Sequence, residues 1–173
     1  MTQNLTLLAF IQLVISIFIG VFFMWLTYKL FLTRFKKKYP FTEINTALGL
    51  LLSAVLFSTG YILSGTLAPL LNTLRIISRN EPSATALVLN ASMYISEFLA
   101  IGFVVALLVN YVSINLFNAL TPDKEELKEI SENKYQYSFI LAAILIVMAL
   151  FAREAYIALL DSLVPLPVMP RIF

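Results

Sequence analysis

The chain is 173 residues long, 60% hydrophobic and only 13% charged, with a formal net charge of +2. A soluble domain is nearer about 45–50% apolar and ~25% charged, so the solvent this sequence expects is lipid, and so small a charge gives no footprint for nucleic acid. Histidine and cysteine are both absent, which excludes imidazole and thiolate metal sites, haem and iron–sulfur ligation, cysteine nucleophiles and Ser–His–Asp triads; no metal and no cofactor is expected.

A bilayer core of ~30 Å is crossed by ~20 apolar residues as helix, and four segments reach that length. The first span covers about 5–32. No charged side chain lies between Met1 and Tyr28 and no basic region precedes the apolar run, so it reads as a retained span and not a cleaved signal. Trp25 and Tyr28 beside Lys29 form an interfacial anchor. The connection 33–43 then carries Arg34, Lys36, Lys37, Lys38 and Pro40; the lysine run sets topology and suits anionic lipid headgroups.

The second span covers about 44–71. Gly49, Ser53, Phe57, Gly60 and Ser64 fall on one stripe at helical spacing, which predicts close packing of another helix, within the fold or in an oligomer. A polar stretch with Arg75, Arg79, Glu81 and Pro82 leads to the third span, about 86–118, with Glu97 inside it. The connection 121–136 opens Thr121-Pro122-Asp123, the signature of a short helix with acidic residues in its first turn, and offers a surface for a cytoplasmic protein partner. The fourth span, about 137–164, holds Arg153, Glu154 and Asp161, and Pro165, Pro167 and Pro170 end it.

The expected fold is therefore all-α: a polytopic membrane protein with four transmembrane helices in a single domain. Lys29, Arg34, Lys36, Lys37, Lys38, Lys124, Lys128 and Lys134 lie on one side, against Arg75, Arg79 and Arg171 on the other. The positive-inside rule places the first set in the cytoplasm and both termini outside. The order span, connection, span occurs twice, and Phe57 to Tyr61 loosely matches Phe151 to Tyr156. Two readings stay open: two related two-helix units in the same orientation, or chance similarity between apolar segments.

One lead-in carries a resemblance. Phe41-Thr-Glu-Ile-Asn-Thr-Ala47, followed by the small-residue helix Gly49, Ser53, Gly60, Ser64, is similar to the YjfL-like family of uncharacterised bacterial inner-membrane proteins. Glu43, Asn45, Thr46 and Ala47 match its first motif, while Glu132-Asn133 followed by Lys134 departs from the second, and Arg153-Glu154 stands where small apolar residues are expected. The resemblance implies four spans in two related pairs in the bacterial inner membrane, and no settled biochemical role.

Ionisable groups within a bilayer are costly and therefore paired or functional. Counted from outer ends near Ala86 and Val164, Glu97 and Arg153 lie ~16 and ~17 Å along their helices, so an ion pair between them is expected. Asn90, Tyr94 and Glu97 share a face at i, i+4, i+7, continued by Ile101, Leu108 and Asn115; Glu154 and Asp161 share one on the fourth span, near Tyr156. These residues compose the candidate ion or solute site. A channel or transporter-type homo-oligomer for a cation, proton or small polar solute is the leading functional expectation. A non-catalytic scaffold or partner subunit, whose charges only fix helix packing, is the alternative. An enzyme ranks third, because no nucleophile or metal set accompanies the carboxylates.

Overall fold

The computed structural model describes residues 2–39, 41, 43–80, 84–120 and 126–164, with side chains from Ile17 onward except at 78–80, 84, 87 and 88. Its elements are the helices α1 (Thr2–Lys38), α2 (Thr46–Ser64), α3 (Leu67–Asn80), α4 (Ala84–Leu120), α5 (Glu126–Ser131) and α6 (Tyr135–Leu163), with no strand among the described residues. Four segments are long and apolar enough to cross a membrane: Ile17–Lys38, Thr46–Ile77, Leu89–Leu120 and Tyr135–Leu163. The all-α expectation holds, and the chain is a membrane protein by the length and composition of these helices. Thr121 to Glu125, the start of the expected soluble helix, and the proline tail from 165 lie outside the described residues.

The expected boundaries shift in two places. α1 runs on through Arg34 to Lys38, where a connection was expected. Lysine and arginine are good helix formers, and cations suit a helix C-terminus, so hydropathy ends there but the helix does not. α2, by contrast, stops at Ser64 and not near 71. Pro69 has no N–H to give to the Gly65 carbonyl, and its ring crowds that oxygen. The backbone tightens instead, with Gly65 N–H donating to Ile62 O and Thr66 N–H to Leu63 O, both at 3.0 Å. α3 then fills the stretch expected to be a polar loop, burying Thr73 and Ile77 and half-burying Leu70 while Asn72 and Arg75 face out. That amphipathic pattern is a helix signal that average polarity hides.

α2 and α6 form the core pair, and polar contacts tie them at both ends. Asn45 caps α2 through its Oδ1, which accepts from Leu48 N–H at 2.8 Å. Its Nδ2 donates to Ile130 O at 3.2 Å and Ser131 O at 2.8 Å, the last turn of α5. Asn133 answers from the other side, its Oδ1 accepting from Ala47 N–H at 3.1 Å. Asn133 also ends α5 in the left-handed region at φ 69°, with Lys134 N–H reaching back to Glu129 O at 3.0 Å; asparagine is among the few non-glycine residues that adopt this conformation readily. At the far end Thr66 meets Tyr156. Start joined to start and end to end, the two helices run parallel.

Apolar residues fill the pair in two clusters. One, toward the Asn45–Asn133 end, joins Leu48, Leu51 and Val55 to Phe117, Ile130, Leu141 and Leu145. The other joins Ile62 to Phe98, Ala106, Ala149, Tyr156 and Leu160. α1 packs mainly on α2 and is exposed over most of its described length. Phe18, Phe22 and Trp25 on α1, Leu108 and Tyr111 on α4, and Phe139 and Phe151 on α6 all face outward, the apolar coat that a bilayer covers.

Candidate functional site

Between the two apolar clusters lies a polar layer. Asn110, 94% buried on α4 with 6% exposure, donates from Nδ2 to Thr59 Oγ1 on α2 at 3.0 Å. The Thr59 hydroxyl in turn donates to Val55 O at 2.9 Å. The Asn110 Oδ1 and the Ser58 hydroxyl in this layer, and the Ser138 hydroxyl near the start of α6, are buried and accept or donate no hydrogen bond among the described residues. An orphaned buried polar atom costs about 1–3 kcal/mol, so each of these groups calls for a partner beyond the described residues.

Asn110 also lines a cleft of about 300 Å³ between α1 and α4. α1 and α4 both rest on α2 and meet where the Phe23 and Phe103 rings lie 5.0 Å apart; the groove lies between that contact and the basic end of α1. Its walls are Leu30, Phe31, Leu107 and Ile114, and Arg34 and Lys38 stand at the basic end of α1. Thr27 lines it too, its hydroxyl turned back to Phe23 O at 2.8 Å. No carboxylate is among the described lining residues.

A second buried polar contact closes the opposite end of the bundle. Tyr156, 2% exposed, donates to Phe98 O at 3.0 Å and accepts from Thr66 Oγ1 at 2.8 Å. One phenol thus joins α6, α4 and the break between α2 and α3. Gly102 makes this possible: a Cβ there would collide with the Tyr156 hydroxyl and stand 2.9 Å from Cζ.

The residues expected to form the intramembrane site do not converge. Arg153 pairs with its neighbour Glu154 at 2.9 Å, lies 5.1 Å over the Tyr61 ring and touches Ser64 Oγ at 3.4 Å. Glu97 is exposed and has no ion pair among the described residues. The expected Glu97–Arg153 bridge is therefore not formed in the protomer. Similar depth is not similar azimuth. The face that α4 buries runs Phe98, Gly102, Ala106, Asn110, Ser113, Phe117, so Glu97 is turned ~100° away from it. On α6 it is Tyr156 that points at α4, and Arg153, three residues earlier, points at the open side of α2.

The other expected residues distribute as follows. Tyr94 is half-buried, edge-on to Phe98 at 6.2 Å, and Asn90 is half-buried and partnered. Glu154 and Asp161 are exposed; Asp161 lines an open depression with Asn72 and Arg75 of α3. Of the packing stripe, Ser53, Phe57 and Ser64 are exposed and a Cβ on Gly49 would meet nothing within 4 Å. Gly60 faces the Met24 methyl of α1, and Ser64 is touched by Arg153 of α6. Within the chain, α2 packs through Leu51, Ala54, Val55, Ser58, Thr59 and Ile62 instead. Lys36, Lys37 and Lys38 are exposed, Lys36 over the Phe41 ring and Lys38 over Tyr39. Lys134, outside the spans, has its ammonium pKa raised, first by its hydrogen bond to Glu129.

Asn110, Thr59, Thr66 and Gly102 were not singled out from sequence, although a lone asparagine in Leu107-Leu-Val-Asn110-Tyr-Val is a signal of the same kind as Glu97. No curated protein and no solved structure is similar to the chain at a significant level. A family model described as Domain of Unknown Function (DUF350) matches residues 1–156. With nine-tenths of its length matched, α1 through Tyr156 of α6, the chain belongs to this domain family.

Proposed function

We propose that the chain is a non-enzymatic protomer of a bacterial inner-membrane homo-oligomer, with its charged residues at the outer rim of the bundle where a second copy or another membrane protein covers them. The YjfL-like resemblance is compatible with this reading and with the family. The observation that carries it is the outward direction of Glu97, Arg153 and Glu154. Depth supports it. With the basic ends at Lys38 and Lys134 set at the cytoplasmic boundary, Arg153 lies 18 residues beyond Tyr135, or ~27 Å along α6, against a core of ~30 Å. Glu97 lies 23 residues from Leu120, or ~35 Å. Both termini are then outside, and the break at Gly65–Thr66, about 20 residues into α2, falls at the outer boundary with α3 lying beyond it.

Arg153, beside the exposed Ser64 and over the Tyr61 ring of α2, offers a cation on one face, and Glu154 offers the matching anion. Native mass spectrometry of the protein released from nanodiscs tests the reading. A fixed oligomer that falls to monomer in Arg153→Met/Glu154→Gln supports it, and a monomeric parent protein rejects it.

A transport reading for a cation, proton or small polar solute is favoured by one separate observation, the three partnerless buried groups of Ser58, Asn110 and Ser138. Such groups in a spanning bundle normally meet water or a passing solute. Proteoliposome flux that is lost in Asn110→Leu would make this the primary activity. The 121–136 connection, through the exposed Lys128 and Glu132, is the face offered to a cytoplasmic partner.

A further inference from the structure

We infer that the cleft between α1 and α4 is a binding site for an anionic lipid of the cytoplasmic leaflet, with the headgroup phosphate between Arg34 and Lys38 and one acyl chain along the groove toward Asn110. Three observations lead there. The groove is walled by Leu30, Phe31, Leu107 and Ile114, so its lining suits a hydrocarbon chain. Two cations stand at one end and no carboxylate is among the described lining residues, and neither cation has an ion pair among the described residues, so the charge at that end complements an anion. Finally, α1 and α4 lie side by side on α2 and close on each other at Phe23 and Phe103, 5.0 Å apart, so the cleft widens from that contact toward the basic end of α1, where a lipid headgroup would lie.

The vertical order fits a lipid. Arg34 and Lys38 occupy the last turn or so of α1, where snorkelling cations reach headgroup level. Asn110 lies ten residues from Leu120, ~15 Å along α4, near the middle of a core of ~30 Å, so the part of the lipid that reaches it is the acyl chain. Basic pockets between spanning helices on the cytoplasmic side are known lipid-headgroup sites in general. The neighbouring Lys36 and Lys37 are outside the lining, and this separates the site from a diffuse basic surface.

The test measures binding of phosphatidylglycerol to the full chain in neutral detergent, where no membrane surface potential operates, by native mass spectrometry and by a thermal-shift titration. Phosphatidylcholine and inorganic phosphate serve as comparison probes. Phosphatidylglycerol should bind and stabilise, phosphatidylcholine should do so more weakly, and inorganic phosphate should not protect. Arg34→Gln/Lys38→Gln should weaken phosphatidylglycerol binding roughly thirtyfold, the product of two basic contacts, while Lys36→Gln/Lys37→Gln, with the same loss of charge, should change it by less than about threefold. Ile114→Trp, at a half-buried groove position away from the Asn110–Thr59 contact, should block chain entry and lower affinity even if Asn110→Leu proves unstable. Equal weakening by the two lysine and arginine pairs, full protection by inorganic phosphate, or undiminished binding in Ile114→Trp would each overturn the assignment.

Discussion

Replacing Gly102 by alanine should destabilise the bundle even though alanine is the better helix former. The added Cβ would collide with the Tyr156 hydroxyl, stand 2.9 Å from Cζ and come within 3.1 Å of Leu63. Tyr156 is 2% exposed and held by Thr66 and Phe98 O, so the ring cannot swing aside without breaking both bonds. Hydrogen bonds in spanning bundles average about 0.6 and reach about 1.7 kcal/mol, and overpacking adds about 1–3. The helix-propensity gain of Gly→Ala returns about 1, leaving a net loss of about 2–4 kcal/mol. Gly60→Ala is the control, since its Cβ would meet only the flexible Met24 methyl; it should be neutral or stabilising. SDS-titrated unfolding in mixed micelles reads both. Tyr156→Phe removes the colliding oxygen, so Gly102→Ala/Tyr156→Phe should cost less than the sum of the single changes by about 1–2 kcal/mol. Strict additivity, or a Gly102→Ala protein as stable as Gly60→Ala, would refute the close approach.

Three other outcomes follow from the same geometry. Asn45→Ala should lose about 1–2 kcal/mol as a helix cap, and Asn133→Ala a similar amount, because it both vacates the Ala47 N–H and leaves a non-glycine residue at φ 69°; Asn133→Gly, which relieves only the backbone, should fall between Asn133→Ala and the parent in the same unfolding assay. Glu97→Gln and Arg153→Met should be additive within about 0.3–0.5 kcal/mol, since the groups do not meet, and a coupling above about 2 kcal/mol would restore the bridge. The Glu129–Lys134 contact raises the lysine above its ordinary 10.5, so its contribution is fully present below that pH and is lost as pH rises through the raised value. The unfolding midpoint should be flat from about pH 7 to about pH 9, and a slope there that vanishes in Lys134→Met would contradict the assignment.

Hydropathy sees composition along a line, and what it reads well here is what lies on that line. The spans ending at Leu120 and Leu163 were legible because ~20 apolar residues need a bilayer whatever their azimuth. Azimuth was not legible. Glu97 drew attention to one face of α4, yet Phe98, Gly102, Ala106 and Asn110 show that burial follows the uninterrupted small and apolar positions beside it. The Gly49–Ser64 stripe misled similarly, because small residues permit close approach without compelling it. The break at Gly65–Thr66 had a sequence cause in Pro69, four residues on, but a proline inside a hydrophobic window does not lower its score. The Asn45–Asn133 exchange could be anticipated only in half: each asparagine is legible as a helix-end residue, and their meeting across 88 positions depends on α2 and α6 running parallel.

The orientation of the charged rim carries the functional account, and the natural absence of cysteine makes it directly measurable. Single variants Asp161→Cys, beyond the covered Arg153–Glu154 face on α6, and Lys37→Cys are labelled in intact inner-membrane vesicles of known sidedness with a membrane-impermeant maleimide. The account predicts that position 161 reacts from the external side and position 37 only from the cytoplasmic side. Labelling in the reverse sense, or a position 161 that stays unreactive from both sides while the denatured protein reacts, would contradict it.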